Sequence, residues 1–217
     1  MEIFYSVIRF FQEGGVFMYP IVVILALGLA VAIERFFYLS YVRSSNRRMW
    51  NRLRPMLEGG KLDQALEVTI GSKAAIGNIL GYGLNRLRSG RGREEMELAM
   101  EEGLMEIIPR LEKRTHYLAI FANIATLLGL LGTIMGLTQA FTAVSGASPA
   151  DKADLLSASI SVAMNTTAFG LIVAIPLLLA HAVMQSKTTE LVDSLEMATV
   201  RITNLIASRG TEEPQTR

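Results

Sequence analysis

The sequence predicts an all-α integral membrane protein with three transmembrane helices, the second and third extended far into the cytoplasm, with small-residue faces suited to assembly. Three observations carry the fold. Twenty residues, Gly14 to Ile33, hold no charge between Glu13 and Glu34. A second apolar stretch, richest from Tyr117 to Phe141, holds no Asp, Glu, Lys or Arg. A third, Leu155 to Ser186, holds none over thirty-two residues. About 20 residues rising ~1.5 Å each cross a hydrocarbon core, so each stretch is long enough to span it as a helix. Apolar residues make up 51% of the 217, but their concentration in three runs, not their number, is what a soluble domain would not show.

The elements follow in order. Residues 1–13 hold Phe4, Tyr5, Phe10 and Phe11 with Glu2 and Arg9, a pattern that fits a short amphipathic helix at the membrane surface and equally an extension of the first span. The first span occupies 14–39. No basic n-region precedes it and no A-x-A-like site follows, so it reads as a retained anchor rather than a cleaved signal. A helical loop occupies 40–115. Within it "RSSNRRMWNRLRPMLEGG" runs on from the first span and stops at Gly59–Gly60. "KLDQALEV" makes a short amphipathic helix. "EEMELAMEEGLMEIIPRLEKR" is acidic at its start and basic at its end, as the helix dipole favours, and it is expected to continue unbroken into the second span past Pro109. Its acidic run, Glu94, Glu95, Glu97, Glu101 and Glu102, reads as a solvated helix face.

The second span occupies 116–141. An outer loop, 142–154, carries "SPAD", with Ser148 as N-cap and Pro149 at the first helical position. The third span occupies 155–184, and its helical tail, 185–208, bears a stripe of Leu191, Leu195, Ala198 and Ile202. Residues 209–217 read as a disordered C-terminus. The loop from Tyr41 to Thr115 holds fourteen of the twenty-one Lys and Arg residues, against Lys152 alone in the outer loop. Positive residues stay inside. The N-terminus and outer loop are therefore expected to face outward, and the long loop and C-terminus the cytoplasm.

The chemistry open to the spans is limited. No Asp, Glu, Lys or Arg lies within the cores of the second and third, whereas a self-sufficient proton pathway usually carries an ionisable group at depth. What they do carry is hydroxyls. Thr133 lies ~25 Å beyond His116, and Thr167 lies ~21 Å before His181 on the antiparallel helix. The two hydroxyls therefore share a depth, with Asn165 and Thr166 beside them, and are expected to face a lumen or another helix. Gly129, Gly132 and Gly136 on one helix, and Thr166, Gly170 and Ala174 on the other, have the small-residue spacing that lets helix backbones approach. Pro176 is expected to kink or loosen the third helix. Glu34 and Arg35, adjacent at the cytoplasmic end of the first span, face different directions, one free to snorkel and the other to bond a neighbouring helix. His116 and His181 are too few for a metal site. There is no cysteine, and no P-loop, nucleophile elbow or dinucleotide fingerprint appears, so no enzyme, cofactor or metal is expected. The net charge of +1 gives no sign of nucleic acid.

"IATLLGLLGTIMGLTQAF" together with "SISVAMNTTAFGLIVAIPLLLAH" resembles the paired core motifs of the MotA/TolQ/ExbB proton-channel family, nearest to its ExbB branch. "AIERFFYL" resembles the family's E-R-x-x-x-L signature, and "GGKLDQALEV" and "LEKRTHYLAIFANIA" are similar to its cytoplasmic segments. The resemblance implies a bacterial inner membrane, with the outward side the periplasm. It implies a ring-forming homo-oligomer, a pentamer, around the helices of an ExbD/TolR-like single-span partner whose membrane aspartate carries the proton, with a TonB-like protein as load. It implies proton-path roles for Thr133 and Thr167, the positions that match the family threonines. One position departs: where ExbB and TolQ commonly carry a glutamate five residues before the third-span threonine, this chain has Val162. A TolQ-like or gliding motor, a passive scaffold and a self-sufficient channel are the alternatives. The three-span count disfavours the flagellar branch.

Overall fold

Six helices account for the described residues: α1, Met18–Glu58; α2, Leu62–Thr69; α3, Ala75–Arg88; α4, Arg93–Glu112; α5, His116–Gly146; and α6, Lys152–Gly210. The computed structural model describes residues 14–210, with side chains through residue 208. The expected amphipathic segment at 1–13 and residues 211–217 of the tail lie outside the described residues. Three helical stretches are long and apolar enough to cross a membrane, one of them in α1, one reaching through α5 and one in α6. The chain forms two compact units. One, the membrane unit, comprises residues 14–34 and 114–183; the other, the charged unit, comprises 35–113 and 184–210.

Small residues build the membrane unit. Its buried side chains include Ala122, Ala125, Ala140, Ala163 and Ala174, while Leu127, Ile134, Ile172 and Leu179 lie on its outer surface. Lipid is as apolar as leucine, so exposing these side chains costs nothing there, and helices associate through close packing instead. The glycines make α5 and α6 approach. A Cβ on Gly170 would lie 2.7 Å from the Ala125 carbonyl oxygen and 3.1 Å from the Gly129 Cα. Backbone atoms cannot yield to such a contact as a flexible side chain can. A Cβ on Gly136 would meet the Ala163 Cβ at 2.8 Å. α6 continues through Pro176.

The charged unit has an aqueous-style core. Leu39, Leu53 and Leu57 of α1, Ile79 and Leu80 of α3, and Met96, Met100 and Leu111 of α4 are all essentially inaccessible. The stripe Leu191, Leu195, Ala198 and Ile202 of α6 is buried as well. α1 stops at Glu58, where Gly60 takes a φ of 76°, a conformation open to glycine without a Cβ clash. One helical turn earlier Arg54 bonds the Glu58 carboxylate at 2.7 Å. That hydrogen bond and the Glu58 charge behind it raise the guanidinium's pKa.

Two expectations about helix ends are corrected. α4 does not run on into the second span: it ends at Glu112, α5 begins at His116, and residues 113–115 form a turn. Pro109 lies inside α4 and does not cause the break. Arg114 takes a φ of 69°, a left-handed conformation costing a non-glycine residue about 1–2 kcal/mol. The turn is held from two consecutive residues of α1. Buried Arg35 donates to the Leu111 carbonyl, one of the orphan acceptors at the C-terminal end of α4. Glu34 pairs with Arg114 at 2.6 Å. The outer turn differs too. α6 begins at Lys152, not Pro149, because the Ser148 hydroxyl donates to the Asp151 carboxylate at 2.7 Å and is not used to cap a backbone N–H.

Candidate functional site

Thr133 stands one turn beyond Gly129 on α5, and Thr167 stands on α6 where that helix crosses Gly129. A Cβ on Gly129 would lie 3.3 Å from the Thr167 Cα and 3.3 Å from the Gly170 Cα. Because the backbones come this close, short side chains can meet. The Thr133 and Thr167 hydroxyls form a hydrogen bond. Both also lie within reach of the Gly129 carbonyl oxygen, Thr167 at 2.8 Å and Thr133 at 3.2 Å. Each hydroxyl has one proton to give and lone pairs to accept. Two arrangements therefore satisfy the same atoms. In one, Thr167 donates to the carbonyl and Thr133 to Thr167. In the other, Thr133 donates to the carbonyl and Thr167 to Thr133. Both side chains remain partly accessible, so the pair is not sealed inside the helix crossing.

The other polar residues of the run go elsewhere. Thr166 is buried, with its methyl against Gly132, where an added Cβ would lie 2.4 Å from the Thr166 Cγ2. Its hydroxyl reaches the Gly14 carbonyl as well as the Val162 carbonyl 2.9 Å away on its own helix. Thr166 thus fastens α6 to the chain just before α1. Asn165 is partly exposed. It precedes Thr167 by two residues, about 200° around a helix, and no hydrogen bond joins it to the hydroxyl pair. Val162 faces the same region as Thr166: a Cβ on Gly15 would lie 3.1 Å from its Cγ1. Thr126 and Thr138 bond carbonyls four residues back on their own helix, a common use of threonine in a membrane helix.

Glu34 and Arg35 are separated as their adjacency requires. Glu34 is exposed beside Arg114, while Arg35 is buried and lies over the Tyr38 ring, 5.1 Å from its centroid. His116 packs against Tyr117 with ring centroids 4.2 Å apart and the ring planes tilted by 37°. Sequence reasoning missed Gly14 and Gly15 as a receptor for α6. The signal was the glycine pair itself, since Gly15 takes a φ of 75°.

Three span-capable helices, two of them crossing at glycine and sharing a hydroxyl pair in an uncharged stretch, define a multi-pass helical membrane protein with a polar point between spans. The sequence comparison narrows that class. Residues 72–197 match the MotA/TolQ/ExbB proton channel family, and the chain belongs to it. The matched segment includes Thr133, Thr167 and every glycine of the α5–α6 crossing. A putative biopolymer transport protein ExbB homolog of Methanothermobacter thermautotrophicus is 28% identical over 200 residues, 91% of this chain and 69% of that protein. A putative biopolymer transport protein ExbB-like 1 of Synechocystis is 31% identical over 188 residues, 84% of this chain and 72% of its own. The Tol-Pal system protein TolQ of Haemophilus influenzae is 37% identical over a shorter stretch of 83 residues, 38% of this chain and 36% of its own.

Proposed function

We propose that this chain is the ring subunit of an inner-membrane motor of the ExbB–ExbD type, which converts proton flow into mechanical work and energises TonB-dependent outer-membrane transport. The observation that carries the reading is the Thr133–Thr167 pair over the Gly129 carbonyl, set in spans without Asp, Glu, Lys or Arg. A hydroxyl can accept a proton on one side and release one on the other, and the two arrangements of the pair differ by that reversal. It cannot store a proton near neutral pH. The storing group must then be an acid on a second protein: the membrane aspartate of an ExbD/TolR-like single-span partner held within a ring of copies, a pentamer.

In this reading Thr133 and Thr167 line the lumen, Asn165 adds polarity on another side of α6, and Thr166 fixes the helix that presents them. Val162 leaves the acid step to the partner. The glycine crossing keeps the hydroxyls at a constant separation while the partner moves past. The excess of basic residues between the first two spans supports a cytoplasmic loop and C-terminus and a periplasmic N-terminus.

The test is co-purification of the chain with an ExbD/TolR-like single-span protein from the same source, followed by proton uptake into vesicles. The expected result is a complex containing several copies of this chain per partner, with uptake lost when the partner's membrane Asp is replaced by Asn. Uptake by this chain alone would overturn the reading in favour of a self-sufficient channel. A Tol-like load is the second reading, supported by the local identity with TolQ; growth phenotypes on envelope stress against iron limitation distinguish the two.

A further inference from the structure

Within the charged unit, two grooves of nearly equal size lie on opposite sides of α6. The first, about 450 Å³, follows the seam of α1 and α6 and is lined by Arg43, Arg47, Trp50, Arg201 and Met197. Smaller hollows continue along the same seam and add Lys187 and Arg54. Five basic side chains thus face two carboxylates. Those two are already engaged, Glu190 with Arg43 at 2.5 Å and Glu58 with Arg54 at 2.7 Å. Arg47 and Arg201 have no carboxylate within ion-pair distance among the described residues.

The second groove, about 440 Å³, lies between α4 and α6. It is lined by Glu97, Glu101, Glu196, Met105, Ile108 and Val200, and by no basic side chain. None of its three carboxylates is ion-paired among the described residues. Met105 is 65% exposed and Val200 54%, as is Met197 beside the basic groove at 54%. Large apolar side chains therefore stand open on both faces.

The two faces are related through one helix. At about 100° per residue, Ser194, Ala198 and Arg201 point one way from α6, while Glu196, Thr199 and Thr203 point almost opposite. The grooves also share a level along the helix, one reaching from Glu190 to Arg201 and the other from Glu196 to Thr203. Opposite surplus charge, exposed apolar side chains and overlapping levels along α6 describe two halves of one contact. We propose that the basic face of one copy lies against the acidic face of the next, a head-to-tail contact between copies of this chain. A soluble anion would neutralise the basic groove but leave the acidic one and its exposed methionine unexplained. Contacts of this head-to-tail kind close into rings when each step stays level and climb into filaments when it does not. The inference deepens the ring reading above and rests on it, placing an electrostatic contact in the charged unit.

The full-length protein in detergent tests the contact. Reversing one face, in Arg47→Glu with Arg201→Glu, or the other, in Glu97→Arg with Glu101→Arg, is expected to reduce the particle mass toward one subunit. Combining all four substitutions restores opposite charges and is expected to restore the wild-type mass, with helicity unchanged throughout. Because the chain has no cysteine, the variant Arg201→Cys with Glu97→Cys gives an independent readout: oxidation should yield a ladder of linked copies. Wild-type mass in either single-face variant, or no recovery in the combined variant together with no ladder, overturns the contact while the ring stands. A wild-type chain that stays monomeric even with its partner overturns the ring reading itself.

Discussion

Glycine packs helices together in both units, but against different neighbours. In the membrane unit Gly170 faces the Ala125 carbonyl and the Gly129 Cα, both backbone atoms. In the charged unit Gly83 of α3 faces the Cγ and Sδ of Met100 and the Cγ of Met96, the middle of flexible side chains. Around Gly83 the core is large and apolar, as water demands. Around Gly170 it is small, because lipid gives no reward for burying leucine, and contact must come from backbones meeting. The same residue is therefore a rigid requirement in one unit and an adjustable one in the other.

Four substitutions sharpen this contrast, each read as loss of helicity against temperature in detergent. Leu80→Ala, at a fully inaccessible site in the charged unit, is expected to cost about 2–5 kcal/mol through lost burial and a cavity. Leu127→Ala, on the outer surface of the membrane unit at 62% exposure, should leave stability unchanged; a comparable loss there would mean that Leu127 is buried in the native assembly. Gly170→Ala is expected to cost about 1–3 kcal/mol, the usual range for overpacking, and to push the Thr133 and Thr167 hydroxyls apart. Gly83→Ala should cost less than Gly170→Ala, since the gain in helix propensity offsets part of the displacement of Met100. Equal effects at Gly170 and Gly83 would erase the distinction.

The spans were legible because three charge-free runs have few other homes in water, and the buried stripe of α6 because a 3.6-residue period shows directly in sequence. The break at residues 113–115 was not legible. No glycine marks it; the left-handed conformation falls on Arg114 and is held by Glu34 and Arg35, distant in sequence. The cap at Ser148 misled for a related reason, since the same hydroxyl that can accept a backbone N–H can donate to Asp151. At the candidate site, counting residues gave Thr133 and Thr167 a common depth but no azimuth. Depth alone could not show that they touch, nor that three successive polar residues, Asn165, Thr166 and Thr167, point in three directions.

The central claim is that the hydroxyl pair passes protons that the chain itself cannot store. Its most direct measurement is proton flux through vesicles containing the wild-type complex or the complex carrying Thr133→Val with Thr167→Val. Valine matches threonine in shape, so the glycine crossing and the assembled complex should persist. Flux should fall by at least tenfold with subunit ratio unchanged. Full flux from an intact double-valine complex would contradict the account.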